Sequence, residues 1–245
     1  MCKIEKRIVW LKNRILLGLF PFRCPICDEP NSKEESAFCK SCLTKLQFVE
    51  KPRCKKCGKS LGLASKQKLC ADCENGKHRF DRGRVLFEYG DVAPAIYRFK
   101  YKNRREYAGA FARKVYERLG EEIVQWEAEA LIPVPLHKSR RRTRGYNQAE
   151  LLAEELGRLL QIPVYNNLVV RCRKTAPQKR LNAAERQNNL KRAFKIDSYD
   201  VNLRKVILID DIYTTGQTLD EIAGVLQEGG VKHVYFLALA AGSGL

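Results

Sequence analysis

The chain has no hydrophobic run long enough to span a bilayer, no small-residue cleavage site near its start, no low-complexity tract and no helix-turn-helix pattern. These absences argue against a membrane-embedded protein, an exported one and a transcription factor. Histidine is scarce: three in 245 residues (His78, His137 and His233), with no recognisable general base among them. Acidic residues are also short, since 28 of them against 46 lysines and arginines leave a formal charge of +18. A surplus of that size points to polyanions, whether nucleic acid, phosphorylated metabolites or an anionic surface. The apolar fraction, 44%, is enough for a conventional core and excludes global disorder. The length suits one good-sized domain, or a domain with a small module.

Cysteine, by contrast, is abundant. Eight of the ten cysteines form four Cys-x-x-Cys pairs: Cys24/Cys27, Cys39/Cys42, Cys54/Cys57 and Cys70/Cys73. Two residues between sulfurs let one turn offer both to a single ion, and each intervening gap is long enough for a hairpin that brings a second pair. The sequential partition puts Cys24, Cys27, Cys39 and Cys42 on one Zn²⁺ and Cys54, Cys57, Cys70 and Cys73 on another, a double zinc ribbon. An interleaved cross-brace uses the same ligands. A disulfide framework and an iron–sulfur cluster compete with zinc, but the basic, signal-free sequence suits a reducing cytosol, and the expected location is cytoplasmic. Four thiolates close the coordination shell, so both zincs are expected to be structural, and residues 24–79 hold too few large apolar residues to fold without them. Cys2 and Cys172 read as ordinary reduced thiols.

The chain divides into a basic helix at 1–22, the Cys module at 23–79 and a third unit at 80–245. The first segment carries a short apolar patch, Ile15 to Phe20, suited to packing on its own domain or to touching a membrane surface. In the third unit, a strand at 84–89 and a turn at Gly90-Asp91 precede helical spacing at 92–101 and 106–119. From residue 129, strands are expected at about 130–134, 164–171, 205–209 and 233–240, with helices at about 147–160 and 217–228. That alternation predicts a parallel sheet covered by helices, with ligands beyond the carboxyl ends of the strands.

The most informative stretch is Val206 to Thr218. An apolar strand ends in Asp210 and Asp211, then a Thr214-Thr215-Gly216-Gln217-Thr218 turn opens a helix. Backbone N–H groups at the positive end of a helix suit a phosphate, and hydroxyls add donors. The adjacent carboxylates can accept from vicinal ribose hydroxyls or sit beside a hydrated Mg²⁺. The string resembles the signature with which type I phosphoribosyltransferases bind 5-phosphoribosyl-1-pyrophosphate (PRPP). On that resemblance Asp210 and Asp211 hold the ribose hydroxyls, and Thr214, Thr215, Gly216, Gln217 and Thr218 hold the 5′-phosphate.

Two further loops fall where such a site needs them. Residues 136–148, after the strand Leu131–Pro135, hold Lys138, Arg140, Arg141, Arg142 and Arg144, which suit a departing pyrophosphate; Arg144 is a candidate catalytic residue. Residues 171–194 form a long, cationic stretch of the kind used as a lid. Lys55 and Lys56 beside one Cys pair, and Lys100, Lys102, Arg104 and Arg105 interleaved with Tyr97, Phe99, Tyr101 and Tyr107, are candidates for contact with single-stranded nucleic acid, the aromatics either stacking on bases or packing inward.

Pro133-Val-Pro-Leu136, Arg144-Gly-Tyr-Asn-Gln148, Thr175 with Gln178, Arg186 with Asn189, Phe194, the Asp-Asp…Thr-Thr-Gly string and the amino-terminal Cys module together resemble the ComF family of competence proteins, including its GntX-like branch. The resemblance covers nearly the whole chain. It implies a type I phosphoribosyltransferase fold behind a double zinc ribbon, with Mg²⁺ accompanying PRPP. It also implies a part in natural transformation, the internalisation of single-stranded DNA, with a competence DNA helicase as a partner. The acceptor's hood would come from residues 80–125, with 129–245 as the core. The alternative is a non-catalytic single-stranded nucleic-acid-binding factor whose PRPP site is regulatory or vestigial.

Overall fold

In the computed structural model, the described residues are 22–31, 37–172, 193–197 and 202–242. The basic helix expected before residue 22, Cys2, the greater part of the 171–194 loop and the Thr175, Gln178, Arg186 and Asn189 positions lie outside them. Two short helices, α1 (Lys40–Leu43) and α2 (Ala71–Asn75), belong to the Cys module. The third unit contains β1 (Arg82–Glu88), α3 (Tyr89–Tyr101), α4 (Tyr107–Val124), β2 (Ala130–Pro133), α5 (Lys138–Arg144) and α6 (Gln148–Leu160). It continues with β3 (Val169–Arg171), β4 (Phe194–Ile196), β5 (Lys205–Tyr213), α7 (Gln217–Glu228) and β6 (His233–Ala241).

Four strands form one parallel sheet in the order β1-β6-β5-β2. Its two central strands are apolar on both faces, as a sheet covered on both sides requires. The period of two is plain in β5. Ile207 and Ile209 join the buried cluster with α3, α4 and α6, whereas Val206 and Leu208 join the one with α7. The architecture is the expected α/β layering of a parallel sheet covered by helices, preceded by the Cys module.

Four local expectations change. The turn expected at Gly90-Asp91 is the first turn of α3, where an acidic residue suits the positive helix end. The basic stretch after β2 is a helix, α5: the His137 ring accepts from Ser139 N–H at its start, and Gly145, at φ 77°, ends it. The strand expected at 164–171 is interrupted by a turn at Asn166-Asn167, leaving one bridge from Val164 to Leu131 and then β3, which pairs antiparallel with β4. Finally, β1 pairs with β6 from Arg82 to Glu88, so the first strand of the 80–125 segment lies in the core sheet and does not belong to a hood. From the edge strand β1 the chain passes into α3, where Lys100 in its last turn meets Asp211 at the tip of β5.

Candidate functional site

The cysteines resolve into two quartets, Cys24/Cys27/Cys39/Cys42 and Cys54/Cys57/Cys70/Cys73, each with all sulfurs within 4.8 Å of one another. The partition is therefore sequential, and the cross-brace is excluded. Cys27 and Cys39 sulfurs are 3.8 Å apart, and Cys57 and Cys70 sulfurs 3.6 Å. Sulfurs about 2.3 Å from one tetrahedral Zn²⁺ stand roughly 3.8 Å apart, so the spacing fits that ion. The thiols are also primed unequally. The hydrogen bond with Cys73 pulls Cys57 down to about 5, and the Ser41 hydroxyl pulls Cys39 down to about 6. Burial pushes Cys42 and Cys70 up, a cost that a bound dication would offset.

The two knuckles turn the same left-handed corner with different residues. Gly58 follows Cys57 at φ 76°, whereas Asp28 follows Cys27 at φ 62°. Asp tolerates this region better than most residues, and here its side chain is used. Asp28 accepts from Arg104 at 2.6 Å and from the Tyr107 hydroxyl at 2.5 Å, tying the first ribbon to the start of α4. These donors hold the Asp28 carboxyl below its usual range against the opposing effect of burial. Arg104, a nucleic-acid candidate by sequence, is thereby committed to the ribbon.

The second ribbon docks on the sheet itself. A side chain at Gly58 would meet the Gly83 carbonyl at 2.7 Å, and Gly83 N–H donates to the Lys56 carbonyl. Cys54, Cys57 and Cys73 share a buried cluster with Phe80, Tyr213 and Leu219. From the end of the ribbon, His78 Nδ1 lies 2.7 Å from one Asp220 oxygen, and Arg79 N–H donates to the other at 2.8 Å. Asp220 sits in the first turn of α7, so this clamp occupies a carboxylate that would otherwise oppose an anion at that helix end. His78 also stacks on Phe80, and a side chain at Gly216 would strike both rings at 3.1 Å. Gly216, at φ 78°, thus lets the Thr214–Thr218 turn close against the ribbon.

At the tip of β5 the acidic pair faces cations. Lys100 Nζ lies 2.9 Å from Asp211 Oδ2. Burial, then the charge of Asp211, hold the Asp210 carboxyl well above its usual range, with Lys100 partly opposing them. Arg171 is pushed down to about 10 by burial and by Arg140, while Asp210 pulls it back. Arg140, on α5, therefore faces the same cleft. Arg144 donates to the Tyr101 hydroxyl and to Gln148 Oε1, each at 2.9 Å. Its motif partners are a clasp: the Tyr146 hydroxyl donates to the Phe99 carbonyl, and Asn147 caps α6 while donating to the Val134 carbonyl. Thr214 is exposed, and Thr215, Gln217 and Thr218 are half-buried at the start of α7.

The site residues named from sequence on β5, α5 and the turn are thus gathered at one end of the sheet, Lys138 exposed on α5 among them. The nucleic-acid candidates divide. Lys55, Lys102 and Arg105 are exposed, and Lys56 lies over the Phe80 ring, but Lys100 belongs to the acidic cleft. Phe99 and Tyr107 are buried, and Tyr97 and Tyr101 are exposed. His78, Arg171 and the role of Lys100 were missed. Nothing local marks them, because their partners lie 142, 39 and 111 positions away along the chain.

Residues 15–74 match the Double zinc ribbon domain family. The chain is 34% identical over 231 residues to Competence protein F of Haemophilus influenzae, with 92% of this chain and 99% of that protein covered. It belongs to the ComF family. Other similar chains are the DNA utilization protein YhgH of Escherichia coli K12 (30% identical, covering 87% of this chain and 94% of that protein) and Competence protein ComFC of Bacillus subtilis (29%, covering 87% and 92%). Among solved structures, a purine phosphoribosyltransferase from Pyrococcus horikoshii is similar over 53% of this ComF chain and 72% of its own, at 18% identity and a TM-score of 0.34. Among the described residues, no helix is long and apolar enough to cross a membrane.

Proposed function

We propose that this ComF-family protein binds PRPP with Mg²⁺ in the cleft at the carboxyl end of its sheet and transfers the ribose-5-phosphate to a nitrogenous acceptor, in a process of DNA uptake and use. The observation that carries the reading is the unit at the tip of β5: two adjacent carboxylates, a left-handed glycine turn, and a helix whose first turn has no side-chain cap. Asp210 and Asp211 would accept from the ribose hydroxyls. The backbone and hydroxyls of 214–218 would hold the 5′-phosphate. Arg140, Arg144 and Lys138 would face the pyrophosphate, which leaves with the electron pair of the C1–O bond as the acceptor nitrogen bonds to C1. Bound Mg²⁺ supplies charge neutralisation among the phosphate oxygens, and the hard carboxylate oxygens here suit such an ion. The names of the relatives, competence and DNA utilization, support the cellular setting, and two thiol quartets suit a reducing cytosol.

A second reading, a nucleic-acid-binding factor with a vestigial PRPP site, is favoured by one observation: Lys100 already neutralises Asp211. Calorimetric titration of Mg²⁺·PRPP into wild type and an Asp210→Asn/Asp211→Asn double variant separates them. Saturable binding that the double variant loses, at unchanged zinc content, is the expected outcome. Absence of binding to zinc-loaded wild type would leave the second reading in place.

A further inference from the structure

On α3, Tyr97, Lys100 and Tyr101 occupy positions i, i+3 and i+4 and so share one helix face. Lys100 fixes where that face points, because its ammonium reaches Asp211 at the tip of β5. The two tyrosine rings are adjacent, with centroids 5.1 Å apart and planes inclined at 43°. They are also open: Tyr97 is 54% exposed and Tyr101 56%, whereas Phe99 between them is fully buried. Two large rings left side by side in water, beside a cleft, are unusual for a surface that only needs to be soluble. The Arg144 guanidinium lies 4.7 Å from the centre of the Tyr101 ring and donates to its hydroxyl, holding that ring in place. Lys102 and Arg105, both exposed, follow directly.

We infer that the Tyr97–Tyr101 face is a stacking seat for a nucleobase that carries phosphate, placed at the rim of the acidic cleft. This rests on the reading of the cleft as a PRPP site only in naming the seat as its acceptor side; the seat itself stands on the ring geometry. A flat base can lie on one ring while its edge meets the other, and the inclined planes leave room for that. Stacking is tolerant of base identity, and the adjoining cations meet the phosphate of a mononucleotide or of a single strand. The adjoining exposed Lys102 and Arg105 favour a phosphate-bearing occupant over an uncharged aromatic.

The test is fluorescence anisotropy with a labelled oligothymidylate and with an abasic strand of equal length. It is run on wild type, Tyr97→Ala/Tyr101→Ala and Tyr97→Phe/Tyr101→Phe, with melting temperature and zinc content as checks of folding. The alanine pair is expected to lose roughly tenfold or more in affinity for oligothymidylate. The abasic strand should bind all three alike, with the same salt dependence. The phenylalanine pair, which keeps both rings and the Arg144 contact with one face but not its hydrogen bond, should keep most of the wild-type affinity. Equal oligothymidylate affinity in the alanine pair and wild type overturns the seat, as does an equal loss for the abasic strand. Thymidine monophosphate, titrated calorimetrically, separates the sources. Binding that the alanine pair loses assigns the seat to mononucleotides, and loss confined to the strand assigns it to the polymer. Failure of PRPP to bind wild type would remove the acceptor role and leave the comparison of strands intact.

Discussion

Lys100 Nζ lies 2.9 Å from Asp211 Oδ2, joining the last turn of α3 to the strand that carries the acidic pair. Lys100 therefore acts on both adjacent carboxylates, and Asp210 already sits well above its usual range through burial and the charge of Asp211. Lys100→Met is expected to cost about 1–3 kcal/mol of stability at neutral pH. Asp210 has a raised folded-state pKa, so its charge is unfavourable above that value and relief comes as pH falls through it. The deficit of Lys100→Met should accordingly shrink on mild acidification, and also on addition of Mg²⁺. Thermal melts across pH, with and without Mg²⁺, check both; identical melts for variant and wild type would remove the pair from the account.

Asp28 predicts an acid response of opposite sign. Its folded carboxyl is held low by the Tyr107 hydroxyl and Arg104, which prevail over burial. The stabilisation is full above the unfolded value of about 3.9 and is lost as pH falls through the folded one. Asp28→Asn should therefore be less stable than wild type at neutral pH, by about 1–2 kcal/mol. That gap should close in strong acid. Denaturant melts of the zinc-loaded protein, taken at neutral pH and stepwise down to the pH at which zinc is released, measure the trend.

Gly58→Ala and Gly62→Ala form a matched pair, since both glycines have φ near +77° (76° and 77°). Around Gly62 nothing lies within 4 Å of a new side chain, so only the backbone cost applies, about 1 kcal/mol. At Gly58 the added carbon also meets the Gly83 carbonyl at 2.7 Å and Arg84 Cα at 2.9 Å. There the loss should reach about 2–4 kcal/mol. Similar losses at the two positions would mean that the ribbon does not press on β1 as described.

The quartets should also differ when broken. Cys24→Ser and Cys54→Ser should each lower zinc content from two ions per chain to one, because ligands are not shared between sets. Only the second touches the cluster that contains Tyr213 and Leu219, which flank the Thr214–Thr218 turn. Cys54→Ser should therefore weaken PRPP binding far more than Cys24→Ser, as metal analysis and calorimetry on the same preparations would reveal.

Much of the fold could be read from residue pattern because it is written locally. The apolar run before Asp210, the period of the helices and the spacing of the Cys pairs each fix an element within a few turns of chain. The turn chemistry of the 214–218 segment was equally visible. What escaped was of two kinds. Helix α5 was hidden because a dense run of arginines resembles a solvated loop, and its signals, the His137 cap and the Gly145 stop, are weak alone. Lys100 and His78 were hidden because their roles depend on partners more than a hundred residues away, which no window along the chain contains. The contacts made within the Arg144–Gln148 motif are largely structural. Tyr146 and Asn147 lock backbone carbonyls, and Arg144 holds the Tyr101 hydroxyl.

The pairing of β1 with β6 has a further consequence for how the molecule is made. On the ribosome the second ribbon and β1 emerge early, yet the surfaces they bind, β6 and the start of α7, come from the last portion of the chain. Until then Phe80 lacks Tyr213 and Phe236, the β1 edge that pairs with β6 is open, and contacts of such long sequence separation are slow to form. Early metal uptake, which needs only residues from Cys24 to Cys73, would give the nascent chain a folded unit during that wait. Starving cells of zinc should then lower the yield of soluble protein through aggregation during synthesis, beyond any loss of stability in the finished molecule.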